Sequence, residues 1–99
     1  MSEPSHFAVV RERGPAWDRS RTLEQQWGWE AHARFMNGLV QDGFVRLGGP
    51  LEDDRVLLIC RARDEDEVKA RLSDDPWPTE MLTIGSVRRW TILLEEGAA

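Results

Sequence analysis

The sequence predicts an α+β fold in the order β-α-β-β-α-β, and three observations lead there. One long stretch repeats apolar residues every four positions; short runs rich in Val, Ile, Leu and Phe lie between Gly, Pro and acidic breakers; the two patterns alternate along the chain. With 99 residues there is room for one domain, 1–99, and a multidomain enzyme is excluded.

The first strand is His6–Val10, whose Phe7-Ala8-Val9-Val10 is closed by Arg11-Glu12-Arg13 and the Gly14-Pro15 breaker. After the loop Ala16 to Ser20, Thr22 and Gln25 stand at N-cap and N3 spacing ahead of Leu23, Trp27, Ala31, Phe35 and Leu39. That spacing predicts an amphipathic helix over 23–42, with Gly43 as its C′ stop. Gly28 and Gly38 each weaken it by up to about 1 kcal/mol relative to Ala.

Phe44–Leu47 reads as a second strand ended by a Gly48-Gly49-Pro50 turn, and Glu52-Asp53-Asp54 leads into a third, Val56–Cys60, which completes a hairpin. The third strand lacks polar alternation, so both its faces are expected to be covered. Asp64 caps a second helix through Leu72, with Glu65, Asp66 and Glu67 set favourably against the helix dipole. Asp75-Pro76 starts a short helical segment toward Met81, Thr83–Leu94 forms the last strand, and Glu95–Ala99 is a frayed tail.

This order is a split βαβ of the ferredoxin-like type, a four-stranded antiparallel sheet with both helices on one face. The apolar residues of the third strand that point away from the helices then need a cover. A second copy packed sheet on sheet across a two-fold axis supplies it, so a homodimer is expected.

Forty per cent apolar and 31% charged residues with five tryptophans suffice for a core. Thirteen basic against eighteen acidic residues give a net charge of −5, and no basic patch stands out locally. Neither a nucleic acid nor a membrane surface is expected as a partner. No apolar run approaches the roughly 20 residues of a membrane helix. One cysteine, Cys60, cannot form an intrachain disulfide, and the start Met-Ser-Glu-Pro-Ser-His lacks the regions of a signal peptide. The expected compartment is the cytoplasm.

Several chemistries drop out. Two distant histidines and one cysteine give no zinc spacing, and the acidic clusters at 52–54 and 64–67 lack a calcium-loop pattern. Cys60 sits inside an apolar strand, where a thiol is usually inert, and Ser73 and Ser86 carry no nucleophile-elbow signature. No phosphate-loop spacing follows Gly48-Gly49-Pro50. Proton transfer without a cofactor is the chemistry that remains.

Five blocks in order carry a resemblance: Gly14-Pro15-Ala16-Trp17-Asp18; Gln26, Trp29, His32, Phe35 and Met36 at their helix spacing; Gly43-Phe44-Val45 with Leu47-Gly48-Gly49-Pro50; Asp75-Pro76-Trp77; and Trp90-Thr91-Ile92. With these the chain resembles the YCII-related (YciI-like) family of small dimeric α+β proteins over nearly its whole length. The resemblance implies a ferredoxin-like fold, a dimer with facing sheets, and an active site built on a histidine and an aspartate, here His32 and Asp75. Related dimeric α+β barrels include lactone isomerases, a dehydrochlorinase and non-catalytic ligand sensors, so a site is implied more firmly than a reaction.

The residues themselves leave alternatives open. His32 falls within the helix arc of Trp27, Phe35, Met36 and Leu39, where imidazole serves either as a general base or acid near neutral pH or as a satisfied core residue. Asp75 either fixes the tautomer of His32 or caps the segment starting at Pro76, and Asp74 could stand in for it in either role. Gly49 and Pro50 let a ligand approach backbone amides or simply make a turn. Trp17, Trp29 and Trp77, with Phe35 and Met36 behind them, wall a pocket for a small ligand or serve as core and dimer contacts, and Trp90 reads as structural. Two functions follow: a small cofactor-free lyase or isomerase in which His32 moves a proton and Asp75 orients it, or a non-catalytic dimer that binds a small metabolite in the same pocket.

Overall fold

Alternation along the first strand decides which face of the sheet is buried. Phe7, Val9 and Arg11 are buried while Ala8, Val10 and Glu12 are only partly so, as the two-residue period of a strand demands. In the computed structural model, which describes residues 4–97, the elements are β1 (Ser5–Arg13), α1 (Trp29–Gln41), β2 (Val45–Pro50), β3 (Arg55–Ala62), α2 (Glu65–Leu72) and β4 (Leu82–Trp90), with a single 3-10 turn at Leu23–Gln25. Among the described residues four strands form one antiparallel sheet in the order β2-β3-β1-β4. This is the ferredoxin-like plait expected.

Phe7 pairs with Cys60 and Val9 with Leu58, and these four side chains share one core with Leu39 of α1 and with Val68 and Leu72 of α2. Both helices therefore cover the same face. Ala8 opposite Ile59 and Val10 opposite Leu57 point to the other face, where Leu47 and Trp90 are exposed. A second cluster, Trp17, Trp77, Met81 and Leu82, closes one end of the helical layer, with Leu23, Trp29 and Val56 packed against it. No helix among the described residues is long and apolar enough to cross a membrane.

Local chemistry moved several boundaries. The helix expected over 23–42 breaks at Gly28, which takes φ +73° and ψ +13°, a left-handed conformation that glycine adopts without steric cost. Gln25 still reaches back to the Thr22 N–H, but it caps only the 3-10 turn. Trp27, upstream of the break, is 70% exposed and not part of a buried stripe. Asp64 caps α2 as expected, accepting from the Glu67 N–H.

Gly48-Gly49-Pro50 is strand and not turn, because β2 lies at the sheet edge, where proline is tolerated. A Cβ on Gly48 would come within 2.6 Å of Leu58 Cδ2, so close packing on β3 explains that glycine. The reversal falls at Asp53 and Asp54, whose φ values of +65° and +62° are the left-handed pair of a tight hairpin. Pro76 starts no helix on the way to Met81; the segment is a series of turns. The last strand ends at Trp90, four residues before the expected limit at Leu94. Beyond β4, Glu95 accepts from Arg46 Nη2 at 2.7 Å, a surface contact to the opposite edge strand, while Ala98 and Ala99 of the expected tail lie outside the described residues.

Candidate functional site

His32 sits on the first turn of α1 and is 8% exposed. Its Nδ1 lies 2.8 Å from Asp75 Oδ1, so the ring donates to the carboxylate from Nδ1 and carries its lone pair on Nε2 when neutral. No group among the described residues hydrogen-bonds Nε2. The imidazole lies flat on Trp77, with centroids 3.7 Å apart and planes at 12°, while Trp29 packs at a tilt 5.9 Å away. Held at Nδ1 and on its face, the ring has one free nitrogen.

Asp75 is held by three donors. Oδ1 also accepts from the Trp77 backbone N–H at 2.9 Å, and Oδ2 accepts from Arg11 Nη1 at 2.8 Å. Burial raises the affinity of this carboxyl for a proton, but the hydrogen bonds from His32, Trp77 and Arg11 together outweigh it and hold the group below the ordinary carboxylate value. It is thus an anion in the interior, compensated by the equally buried Arg11, whose Nη2 donates to the Leu82 carbonyl. The choice between a cap and a site partner resolves into both contacts at once, although the Trp77 N–H belongs to a turn and not to a helix. Asp74 is exposed and bonds neither His32 nor Arg11.

His32 lines a cavity of about 260 Å³ between α1 and the end of the sheet. Trp17, Trp29, Met36, Gly49, Pro50 and Trp77, all singled out from the sequence, stand on its wall. Asp75 stands behind His32 and off the wall, and Phe35 packs into the helix-facing core. The wall is largely apolar, with Arg11, Arg13, His32 and Asn37 as its polar side chains. Trp77 is fixed from three sides: edge-on to Trp17 at 5.4 Å, flat on His32, and through its indole N–H to the Trp27 carbonyl.

Two polar residues escaped the reading of the sequence, and a third, Gln26, stood in a motif block without a role. Arg11 was grouped with the charged run that closes the first strand, yet the alternation Phe7, Val9, Arg11 already placed it on the buried face. Arg13, next in that alternation, reaches the cavity by the same logic. Gln26, buried at the helix break, accepts from the Asp18 N–H and donates to the Asp18, Arg21 and Thr22 carbonyls, so it fixes the loop that carries Trp17. Cys60 is buried, and burial pushes its thiol up to about 11, consistent with inert packing. Among the described residues no three His, Cys, Asp or Glu side chains gather as a metal centre would require.

The fold and the buried His32–Asp75 pair agree with what the motif blocks implied. No family model, no curated protein and no solved structure matches this chain.

Proposed function

We propose that the protein is a small cofactor-free enzyme of the lyase or isomerase type, akin to the YciI-like proteins its motifs resemble, in which His32 Nε2 moves a proton on a small organic substrate. One observation carries this reading: a histidine whose Nδ1 is committed to a buried carboxylate while its Nε2 is left unpaired beside an apolar cavity. Nε2 takes the proton from a substrate carbon, and Asp75 stabilises the imidazolium that results. The same nitrogen returns the proton to another atom of the substrate or to a departing group. Arg11 keeps Asp75 ionised so that it can play that part.

A second copy completes the assembly. The sheet face away from the helices carries Ala8, Val10, Leu57 and Ile59, with Leu47 and Trp90 exposed on it, and Leu93 and Leu94 stand exposed in the segment that follows β4. A two-fold contact would bury this patch on both chains at once.

The test is a screen of small carbon acids (enolisable ketones, lactones and oxo acids) in deuterated water, followed by proton NMR for exchange, isomerisation or elimination. Turnover by the wild type that falls by about 10²–10⁴-fold in a folded His32→Gln variant is the expected result. A compound that binds in the cavity without any exchange would instead make the protein a metabolite-binding module, and full activity of the variant would reject His32 as the base.

A further inference from the structure

The cavity has two charged residues on its wall, and they differ in what they are free to do. Arg11 is spent inside the protein, with Nη1 on Asp75 and Nη2 on the Leu82 carbonyl. Arg13 is not. Its guanidinium lies over the Trp17 ring at 4.2 Å, its Nε is buried without a partner, and Nη1 stands 3.6 Å from Asp54 Oδ1, beyond hydrogen-bond reach. The other Asp54 oxygen takes Arg19 Nη2 at 2.6 Å. Two guanidiniums facing one carboxylate leave a net positive charge beside the cavity, in a chain whose overall charge is −5.

Arg13 and His32 are also joined along one wall. Arg13 stacks on Trp17, Trp17 meets Trp77 edge-on, and Trp77 lies flat on His32, with all four on the cavity lining. Trp17 and Trp77 stand at 86° to each other, so a small apolar body would rest against the face of one indole and the edge of the other. The end away from His32 meets the one wall guanidinium without a hydrogen-bonded partner.

We propose that the cavity takes a small organic carboxylate, its anionic end on the Arg13 guanidinium and its apolar body along Trp17 and Trp77, with the reacting carbon toward His32 Nε2. The proposal rests on the proton-transfer reading only for the role of that carbon; recognition of the carboxylate stands by itself. A guanidinium held flat by an indole presents its N–H edge, which suits the two oxygens of a carboxylate. Asp54, 3.6 Å away and bonded to Arg19, offsets that charge only in part, and a ligand anion there would be drawn in against the sign of the whole protein.

Benzoate and benzamide are matched probes, nearly the same shape with and without the charge. Binding is read from the NMR shifts of the Trp17 and Trp77 indole N–H and of the His32 ring, with no turnover required. Benzoate is expected to bind about tenfold or more tighter than benzamide, and Arg13→Gln to abolish that preference by weakening benzoate far more than benzamide. Arg13→Lys, which keeps the charge and loses the fork, is expected to restore part of the preference and guards against a folding defect in the first variant. Equal binding of the two probes, a preference that survives in a folded Arg13→Gln protein, or no shift with either probe would overturn the assignment. A carboxylate preference without proton exchange on any carbon acid would sink the enzyme reading alone; exchange on neutral substrates without that preference would sink the present one alone.

Discussion

Trp77 acts on His32 twice: its indole lies flat on the imidazole at 3.7 Å, and its backbone N–H donates to the same Asp75 oxygen that holds His32 Nδ1. The two contacts fix the ring and its acceptor relative to each other, so rotation of His32 would break a stack and a hydrogen bond together. The second contact is a local one, the N–H two residues beyond Asp75 donating to its side chain across the turn at Pro76.

Asp75→Asn should destabilise the fold by about 3 kcal/mol, the scale for removing one partner of a buried ion pair. Whichever way the amide is turned, its NH2 faces a donor, either Arg11 Nη1 or the Trp77 N–H. Urea unfolding measures the loss, and nitrogen NMR of His32 shows whether the Nδ1–H tautomer survives. An unchanged midpoint would contradict the buried pair as drawn.

The same carboxyl sets a pH signature. Its folded affinity for a proton is below the ordinary value of 3.8, so the folded state is favoured above that pH and the gain is lost as pH falls through the lower folded value. The stability difference between wild type and Asp75→Asn should therefore shrink as pH falls below about 4 and the carboxyl takes up its proton. Thermal melts across the acid range check it; a difference that grew on acidification would reverse the sign and refute the assignment.

The layers of the fold were legible because burial marks the sequence: a short apolar run over Phe7 to Val10, and a period near four in Phe35 and Leu39. The pairing of His32 with Asp75 was legible only through the motif blocks, since no local pattern ties residues 43 positions apart. What stayed hidden depends on tertiary contact. Gly28 in a periodic stretch reads as a weak helical residue, and its left-handed turn makes sense only with Trp77 docked on Trp27 and Gly28. Gly48-Gly49-Pro50 reads as a turn until β2 is seen to be an edge strand packed on Leu58. Arg11 reads as a solvated charge until Asp75 arrives from the far end of the chain.

Two glycines of the interrupted helix should respond to alanine with opposite signs. At Gly28 the backbone is left-handed and a Cβ would stand 3.3 Å from the Trp77 indole, so Gly28→Ala should cost about 1–2 kcal/mol. Gly38 lies inside α1 with nothing within 4 Å of its would-be Cβ, and Gly38→Ala should stabilise by about 0.5–1 kcal/mol. Melting temperatures decide the signs. Near-ultraviolet circular dichroism should change only for Gly28→Ala, because only that substitution presses on the packed tryptophans.

The dimer proposed from the open sheet face predicts a mass near twice the 11.4 kDa chain in light scattering coupled to size exclusion. Leu47, 71% exposed on β2 and paired with Ile59, lies on that face and away from the core, so Leu47→Glu should dissociate the dimer while leaving the folded monomer intact. Arg34→Glu, an exposed change on α1 across the molecule, should leave the mass unchanged. A wild-type monomer would refute the sheet-on-sheet contact, and so would a dimer that Leu47→Glu fails to weaken. In the second case the interface would lie elsewhere, and the apolar residues Leu93 and Leu94 beyond β4 would be the next to change.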